Sequence, residues 1–147
     1  MAAAVVVRML RDGDQHLLTG VAGGVFDDPV DPALADAFLR DPRHHMAAAI
    51  RAGRLVGFAS AVDYWHPDKP SELFVNEVGV APDARRRGLG LRLMGAMLAR
   101  GHALGCRQAW LLCEPDNAGA NALYARAGGA REGRDPALWT FDCAAAP

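Results

Sequence analysis

The sequence lacks a long apolar run. No stretch approaches the roughly 18 to 20 residues that a bilayer-crossing helix needs. The opening MAAAVVVRML carries no basic region ahead of its apolar residues and meets Arg8 after a few positions, so it reads as a first strand. The expected location is the cytoplasm, with no membrane partner. An excess of one charge is also lacking: 16 basic against 17 acidic residues leave a net −1, which gives the chain as a whole no electrostatic reason to seek nucleic acid. Cysteine is sparse, and Cys106, Cys113 and Cys143 form no Cys-x-x-Cys pair and have no histidine at zinc spacing. Neither a disulfide framework nor a metal site is expected, and the three read as reduced, mostly buried thiols. Repeats, low-complexity tracts and linkers are missing too. What remains is 147 residues of 51% apolar composition, enough for a single domain over 1–147 with an ordinary core.

Residues 3 to 10 are a β-branched run suited to a strand, and 14 to 26 suit a weak helix troubled by Gly23 and Gly24. DPALADAFLRD supplies a capping Asp31, Pro32 at the first helical position and apolar Leu34, Phe38 and Leu39, hence a short helix. HHMAAAIR and RLVGFASAVDY read as a hairpin turning at Ala52 and Gly53. ELFVNEVGV is a further strand, ended by Pro82. The longest predicted helix runs from Gly88 to Leu104 and closes on Gly105. RQAWLLCE follows as a buried strand, NAGANALYARAGG as a glycine-stopped helix, and 137 to 143 as a last strand. A strand meander followed by strand, helix, strand, helix and strand predicts an α/β or α+β domain with a mixed sheet.

RRRGLG, residues 85 to 90, places three arginines and two glycines at the start of that longest helix. A helix N-terminus offers unpaired amides and the positive end of the macrodipole, which suits a phosphate or pyrophosphate. Arg85, Arg86 and Arg87 strengthen such a site. Neither nucleotide fingerprint fits: a dinucleotide site needs a third glycine where Leu93 stands, and a P-loop needs Gly-Lys-Ser/Thr, which does not occur.

VGVAPDARRRGLG, then a helix, a strand and NAGANALYARAGG, closely resembles the GNAT superfamily of acetyl-CoA-dependent N-acyltransferases. The residues that carry the resemblance are Val78 and Val80; Arg85, Gly88 and Gly90; and Asn117, Ala120, Leu123, Tyr124 and Gly128. Gly129 departs from the pattern, standing where the family has phenylalanine. The resemblance implies a single-domain GNAT fold. Its mixed, mostly antiparallel central sheet is flanked by helices, and splayed strands form the acetyl-CoA cleft. It implies that the anion is the pyrophosphate of acetyl-CoA, cradled by amides across Arg85, Arg86, Arg87, Gly88, Leu89 and Gly90. The backbone of Val78, Gly79 and Val80 would pair with the pantetheine arm as if with a strand, and Asn117, Ala120 and Tyr124 would complete the cofactor site. No metal is implied, and the family suggests a homodimer.

Acyl transfer to an amine needs a neutral nucleophile, a donor for the oxyanion and an outlet for the thiolate. An aliphatic amine is mostly protonated at pH 7, so a carboxylate base is expected, directly or through water. Glu77 lies mid-strand among apolar residues, where an unpaired buried carboxylate is unfavourable; it reads as that base or as an outward-facing residue of a half-solvated strand. Glu114 ends the next strand before Pro115 and reads as a second candidate or as a plain strand-end charge. Asn117 and Tyr124 are seven residues apart, about two helical turns, so they share a helix side. Asn117 also suits an N-cap. The family pattern implies Tyr124 as proton donor to the departing thiolate. His44 and His45 are strand neighbours and cannot both face one site, His16 and His102 suit the surface, and His66 in the proline-broken loop WHPDKPS is a candidate substrate contact.

The acceptor is the least constrained. FDDPVDPALADAFLRD holds five aspartates against one arginine, and an acidic patch facing a cationic one suits a polyamine; the plain alternative is helix caps and solvated loops. VFDD, then a helix, then the hairpin ending GFASAVDY, then KPSELFVNEVGVAP and later CEPDNAGANALY carry a narrower resemblance, over residues 25 to 130, to the type I aminoglycoside 3-N-acetyltransferases. It implies the 3-amine of a deoxystreptamine ring as acceptor, antibiotic resistance as the outcome, and Asp28, Glu77, Glu114 and Asp135 as substrate contacts. The alternatives are a GNAT acting on another small amine, a polyamine or a peptide amine, and a CoA-binding regulatory module without turnover. A nucleic-acid role for the arginine run is disfavoured by the net charge.

Overall fold

The computed structural model describes residues 3–133 and 139–144, and the chain divides between Leu112 and Cys113 into two compact units. The first unit is built on a five-stranded sheet in the order β1-β2-β3-β4-β5. Its strands are β1 (Val5–Met9), β2 (His44–Arg51), β3 (Arg54–Tyr64), β4 (Glu72–Val80) and β5 (Gln108–Trp110). The first four pair antiparallel, and β5 joins β4 in parallel, so the sheet is mixed and mostly antiparallel as expected. The β2–β3 hairpin turns at Ala52 and Gly53, both at positive φ (51° and 75°), the primed turn whose twist matches its strands.

Helix α1 (Gln15–Thr19) is shorter than the predicted 14 to 26 because Gly20 ends it and Gly24 sits at φ +76°. Helix α2 (Pro32–Arg40) starts as its sequence dictates: the Asp31 carboxylate accepts from the amides of Ala33 (2.7 Å) and Leu34 (3.2 Å), with Pro32 at the first position. Helix α3 (Leu89–Ala103) is entered from a 3-10 turn at Pro82–Ala84. It closes with the amide of Cys106 bonded to Gly101 O and that of Gly105, at φ +77°, to His102 O, a Schellman ending.

Strand alternation sends His45, Ala47, Ala59, Ala61, Leu73 and Val75 to one face of the sheet. There they meet Leu89, Leu93, Met94 and Met97 of α3, all buried. The other face carries Phe58, Ser60, Val62 and Phe74 and is partly covered by α1 and α2. Arg8 and Asp14 join β1 to α1 through two bonds of 2.7 and 2.9 Å; with the Arg8 guanidinium there, the Asp14 carboxyl falls to about 2. Among the described residues no helix is long and apolar enough to cross a membrane.

The second unit contains α4 (Ala118–Arg126), which also ends in a Schellman motif: Gly129 N bonds Tyr124 O at 3.0 Å, and Gly128 sits at φ +94°. Two expectations are corrected. The predicted buried strand over 107–114 is a three-residue, exposed β5, because among the described residues it has a neighbour on one edge only. Residues 139–143 of the predicted last strand are not in a strand, and 137–138 lie outside the described residues.

Candidate functional site

Strand β4 is where the site is built. Its first edge pairs with β3 along its length, while its second edge meets β5 only at Glu72, Leu73 and Phe74. From Val75 to Val80 that second edge has no strand beside it among the described residues. An open row of amides and carbonyls is a template for an extended, amide-bearing partner, and Val78, Gly79 and Val80 lie on it.

The opening begins at a β-bulge. Ser60 faces Glu77 and Ala61 faces Val75, so Asn76 is the extra residue. Both Asn76 and Glu77 are exposed. Glu77 is therefore not the buried carboxylate that its apolar neighbours suggest: the bulge turns it to the same face as Ser60, away from α3.

Beyond Val80 the chain turns through Arg85, Arg86 and Arg87, all exposed. Arg85 Nε donates to Val80 O at 3.0 Å, tying the turn to the strand end. Arg86 (φ 57°) and Gly88 (φ 73°) adopt left-handed backbone, and Gly88 caps α3 without a side-chain acceptor. The first amides of the helix, including those of Leu89 and Gly90, are thus left over by helix geometry and face outward beside three guanidinium groups. The cradle expected from RRRGLG is contiguous with the open edge of β4.

In the second unit, Asn117 is an N-cap: its Oδ1 accepts from Ala120 N at 3.1 Å. Asn121 Nδ2 donates to Glu114 O (3.0 Å) and Asn117 O (2.8 Å), fixing the approach to α4. The Glu114 side chain is exposed. Tyr124 is half-buried, and burial, with Cys113 nearby, raises its hydroxyl above the usual phenol range. The hydroxyl therefore stays protonated at neutral pH. Cys106 and Cys113 are only partly buried and Cys143 is exposed, all as free thiols, so the expectation of mostly buried cysteines is not met. Asp28 is exposed on the loop after Phe26, whose ring stacks on Phe58 at 4.2 Å. Asp135 lies outside the described residues.

No pattern in the sequence points to a hollow of about 140 Å³ on the Ser60 face. Phe38, Val62, Phe74 and Ala61 wall it, together with Ser60, Asn76 and His44. Farther along the same face, Glu72 accepts from Tyr64 Oη (2.9 Å) and Gln108 Nε2 (2.9 Å), with His66 Nε2 at 3.4 Å. The Tyr64 hydroxyl holds the Glu72 carboxyl below its ordinary range. His66 is thus engaged with Glu72. His45 points the other way, buried with Nε2 2.6 Å from Asp63 Oδ1 and Arg100 Nε 3.4 Å from its Nδ1, so the two adjacent histidines do part to opposite faces. Among the described residues no group of His, Cys, Asp and Glu could hold a metal ion.

Residues 13–129 match the model of the acetyltransferase (GNAT) family. The chain belongs to that family. It is 36% identical over 111 residues to N-alpha-acetyltransferase RimI of Mycobacterium tuberculosis, covering 74% of this chain and 66% of the relative. It is 38% identical over 135 residues to a mycothiol acetyltransferase of Saccharopolyspora erythraea, covering 83% and 42%. The chain thus spans 66% and 42% of the length of these relatives. The solved structure of AAC(6')-Iy with the bisubstrate analogue CoA-S-monomethyl-acetylneamine superposes at a TM-score of 0.78 with 20% identity, covering 96% of this chain and 100% of that one. At that identity the likeness is one of fold. The GNAT fold accounts for the mixed sheet flanked by helices.

Proposed function

We propose that this chain is an acetyl-CoA-dependent N-acetyltransferase that transfers acetyl to a primary amine by direct attack on the thioester. The observation that carries the reading is the continuity between the open edge of β4 and the Arg85–Gly90 turn. One is a backbone template for an extended arm with amides; the other is an anion cradle at its end. Coenzyme A has both parts in that order. Unpaired amides of β4 beside the bulge are suited to take the charge that develops on the thioester oxygen.

In the reaction the amine nitrogen forms a bond to the thioester carbonyl carbon and the carbon–sulfur bond breaks. Glu77, exposed next to the bulge, takes the amine proton directly or through water, with Glu114 as the second candidate. Tyr124, whose hydroxyl stays protonated, gives a proton to the departing thiolate. Asn117 and Ala120 hold the start of α4 as part of the cofactor site.

For the acceptor, the names of the sequence relatives, N-alpha-acetyltransferase and mycothiol acetyltransferase, favour an amine on a small molecule or a peptide terminus. A second reading, an aminoglycoside amine, is favoured by the exposed Asp27, Asp28 and Asp31 and by the neighbour in fold. The 3-amine of the deoxystreptamine ring rests on the motif resemblance alone. Thiol release from acetyl-CoA, measured with a short peptide, cysteine-bearing amines, gentamicin and spermidine, tests both. Saturable turnover that is lost in Glu77→Gln supports the mechanism, and turnover on gentamicin alone makes the second reading the correct one. No binding of acetyl-CoA sinks the proposal.

A further inference from the structure

The hollow beside Glu77 has walls that acetyl transfer itself does not require. Phe38 comes from α2, and Val62 and Phe74 from the sheet; Ser60 and Asn76 bring polar groups. No lining residue is a carboxylate, and the one titratable wall, His44, has its Nδ1 3.4 Å from Asp41 Oδ1. Ser60 marks the hollow as a place for a ligand. It is 5% exposed, and its hydroxyl has no hydrogen-bond partner among the described residues. The hydroxyl is nonetheless not sealed in, and it opens on the hollow. A hydroxyl reachable from the hollow, with no partner inside the chain, is a donor and acceptor that a polar group of a ligand can pair with in place of water.

We propose that the hollow is a side-chain subsite for the acceptor. It takes one uncharged substituent, apolar or bearing a single hydroxyl or thioether, carried on the carbon next to the reacting amine. The proposal rests on the acetyl-transfer reading above. Ser60 faces Glu77 in register, and Asn76 is the bulge residue before it, so a group attached one atom away from an amine at Glu77 enters here. The volume of about 140 Å³ is roughly that of four or five waters. That is room for a leucine- or methionine-sized side chain. A second ammonium group would lose its water between Phe38 and Phe74 without a carboxylate to meet it. The class selected is therefore α-amines followed by an uncharged side chain, at the expense of polycationic amines.

Two measurements on the full chain separate this proposal from the reading beneath it. Calorimetric binding of acetyl-CoA tests the transfer reading. The hollow is tested by kcat/KM for tripeptides X-Ala-Ala with X as Gly, Ser, Met, Leu, Asp and Lys, beside spermidine. Met and Leu are expected to exceed Gly by roughly tenfold or more, with Lys, Asp and spermidine below Gly. Asn76→Asp places a carboxylate at the hollow on an exposed position and is expected to move the preference from Met towards Lys; Ser60→Ala is expected to remove the advantage of Ser over Gly. A flat series, a preference for Lys or spermidine in the unaltered chain, or no shift in Asn76→Asp overturns the proposal. Should no peptide be acetylated, binding of N-acetylmethionine amide against N-acetyllysine amide, followed by the amide shifts of Ser60 and Asn76, still decides it. Preference for the methionine compound supports the subsite, and equal or absent binding overturns it.

Discussion

Gly79 lies on the open edge of β4, and a methyl group added there tests whether the strand end is held by packing. A Cβ at this position would stand 2.6 Å from the carbonyl oxygen of Val25 and 2.8 Å from Phe58 Cε1. Each neighbour must retreat by about 0.6 to 0.8 Å to reach ordinary contact at 3.4 Å. Neither is free to do so: the first is backbone of a buried residue, and the second belongs to a ring that is 2% exposed and stacked on Phe26. Overpacking of this kind destabilises by about 1–3 kcal/mol. With a urea m-value of about 1–3 kcal/mol/M for a chain of this size, Gly79→Ala should lower the unfolding midpoint by about 1 M at unchanged m. It should also weaken acetyl-CoA binding, because the strand end moves away from the 21–28 loop. Gly88→Ala is the contrasting variant, since a Cβ at Gly88 meets nothing within 4 Å and only its φ of +73° is strained. Its stability loss should be about 1 kcal/mol, with the binding loss arising from the distorted amide cradle. An unchanged midpoint in Gly79→Ala refutes the packing account. Weaker acetyl-CoA binding at an unchanged midpoint would instead make Gly79 a residue needed for close approach of the cofactor.

Asp14 is the group whose titration should be visible in stability. Its carboxyl is depressed to about 2 beside Arg8, so its contribution is complete above pH 4 and is lost as pH falls towards 2. That contribution is at most about 2 kcal/mol, lessened because Arg8 is 41% exposed, and Asp14→Asn should remove both the stability and that part of its pH dependence in urea titrations. Ala52 sits at φ 51° in the β2–β3 turn, so Ala52→Asn should raise stability by about 0.5–1 kcal/mol; a lower midpoint would contradict the primed turn. Tyr124→Phe should slow turnover by up to about 10²-fold without abolishing it, since a thiolate with a pKa near 8.5 leaves unaided. An unchanged kcat would remove Tyr124 from proton transfer, and a loss confined to KM would make it a binding residue.

Local chemistry made much of the first unit legible. Asp31 with Pro32, the Ala52–Gly53 turn, and Gly105 after α3 each fix backbone through a short-range cause, and each appears where its residues require it. Residues 139–143 and 107–114 misled because β-branched and aromatic content is a weak guide without a neighbouring strand. Trp110 has β4 beside it, but on the other edge nothing among the described residues. The hollow was illegible for a different reason. Its walls come from α2, β2, β3 and β4, and only the register of three strands brings Phe38, Ser60 and Phe74 to one place.

The bulge at Asn76 explains why Glu77 was ambiguous in the sequence and is not ambiguous in the fold. Strict alternation from Val75, which faces α3 and is 3% exposed, would send one of the two adjacent polar residues into the layer of Leu93 and Met97. There a carboxylate would be unpaired and its charged form disfavoured. The extra residue lets Asn76 and Glu77 stand together on the open face, and Val78 then returns to the α3 side opposite Ala59. The same distortion occurs where β4 loses its pairing with β5, between Phe74 and Glu77. One inserted residue therefore does three things at once: it exposes Glu77, it places Asn76 at the hollow, and it coincides with the start of the backbone edge on which the acetyl carrier would lie.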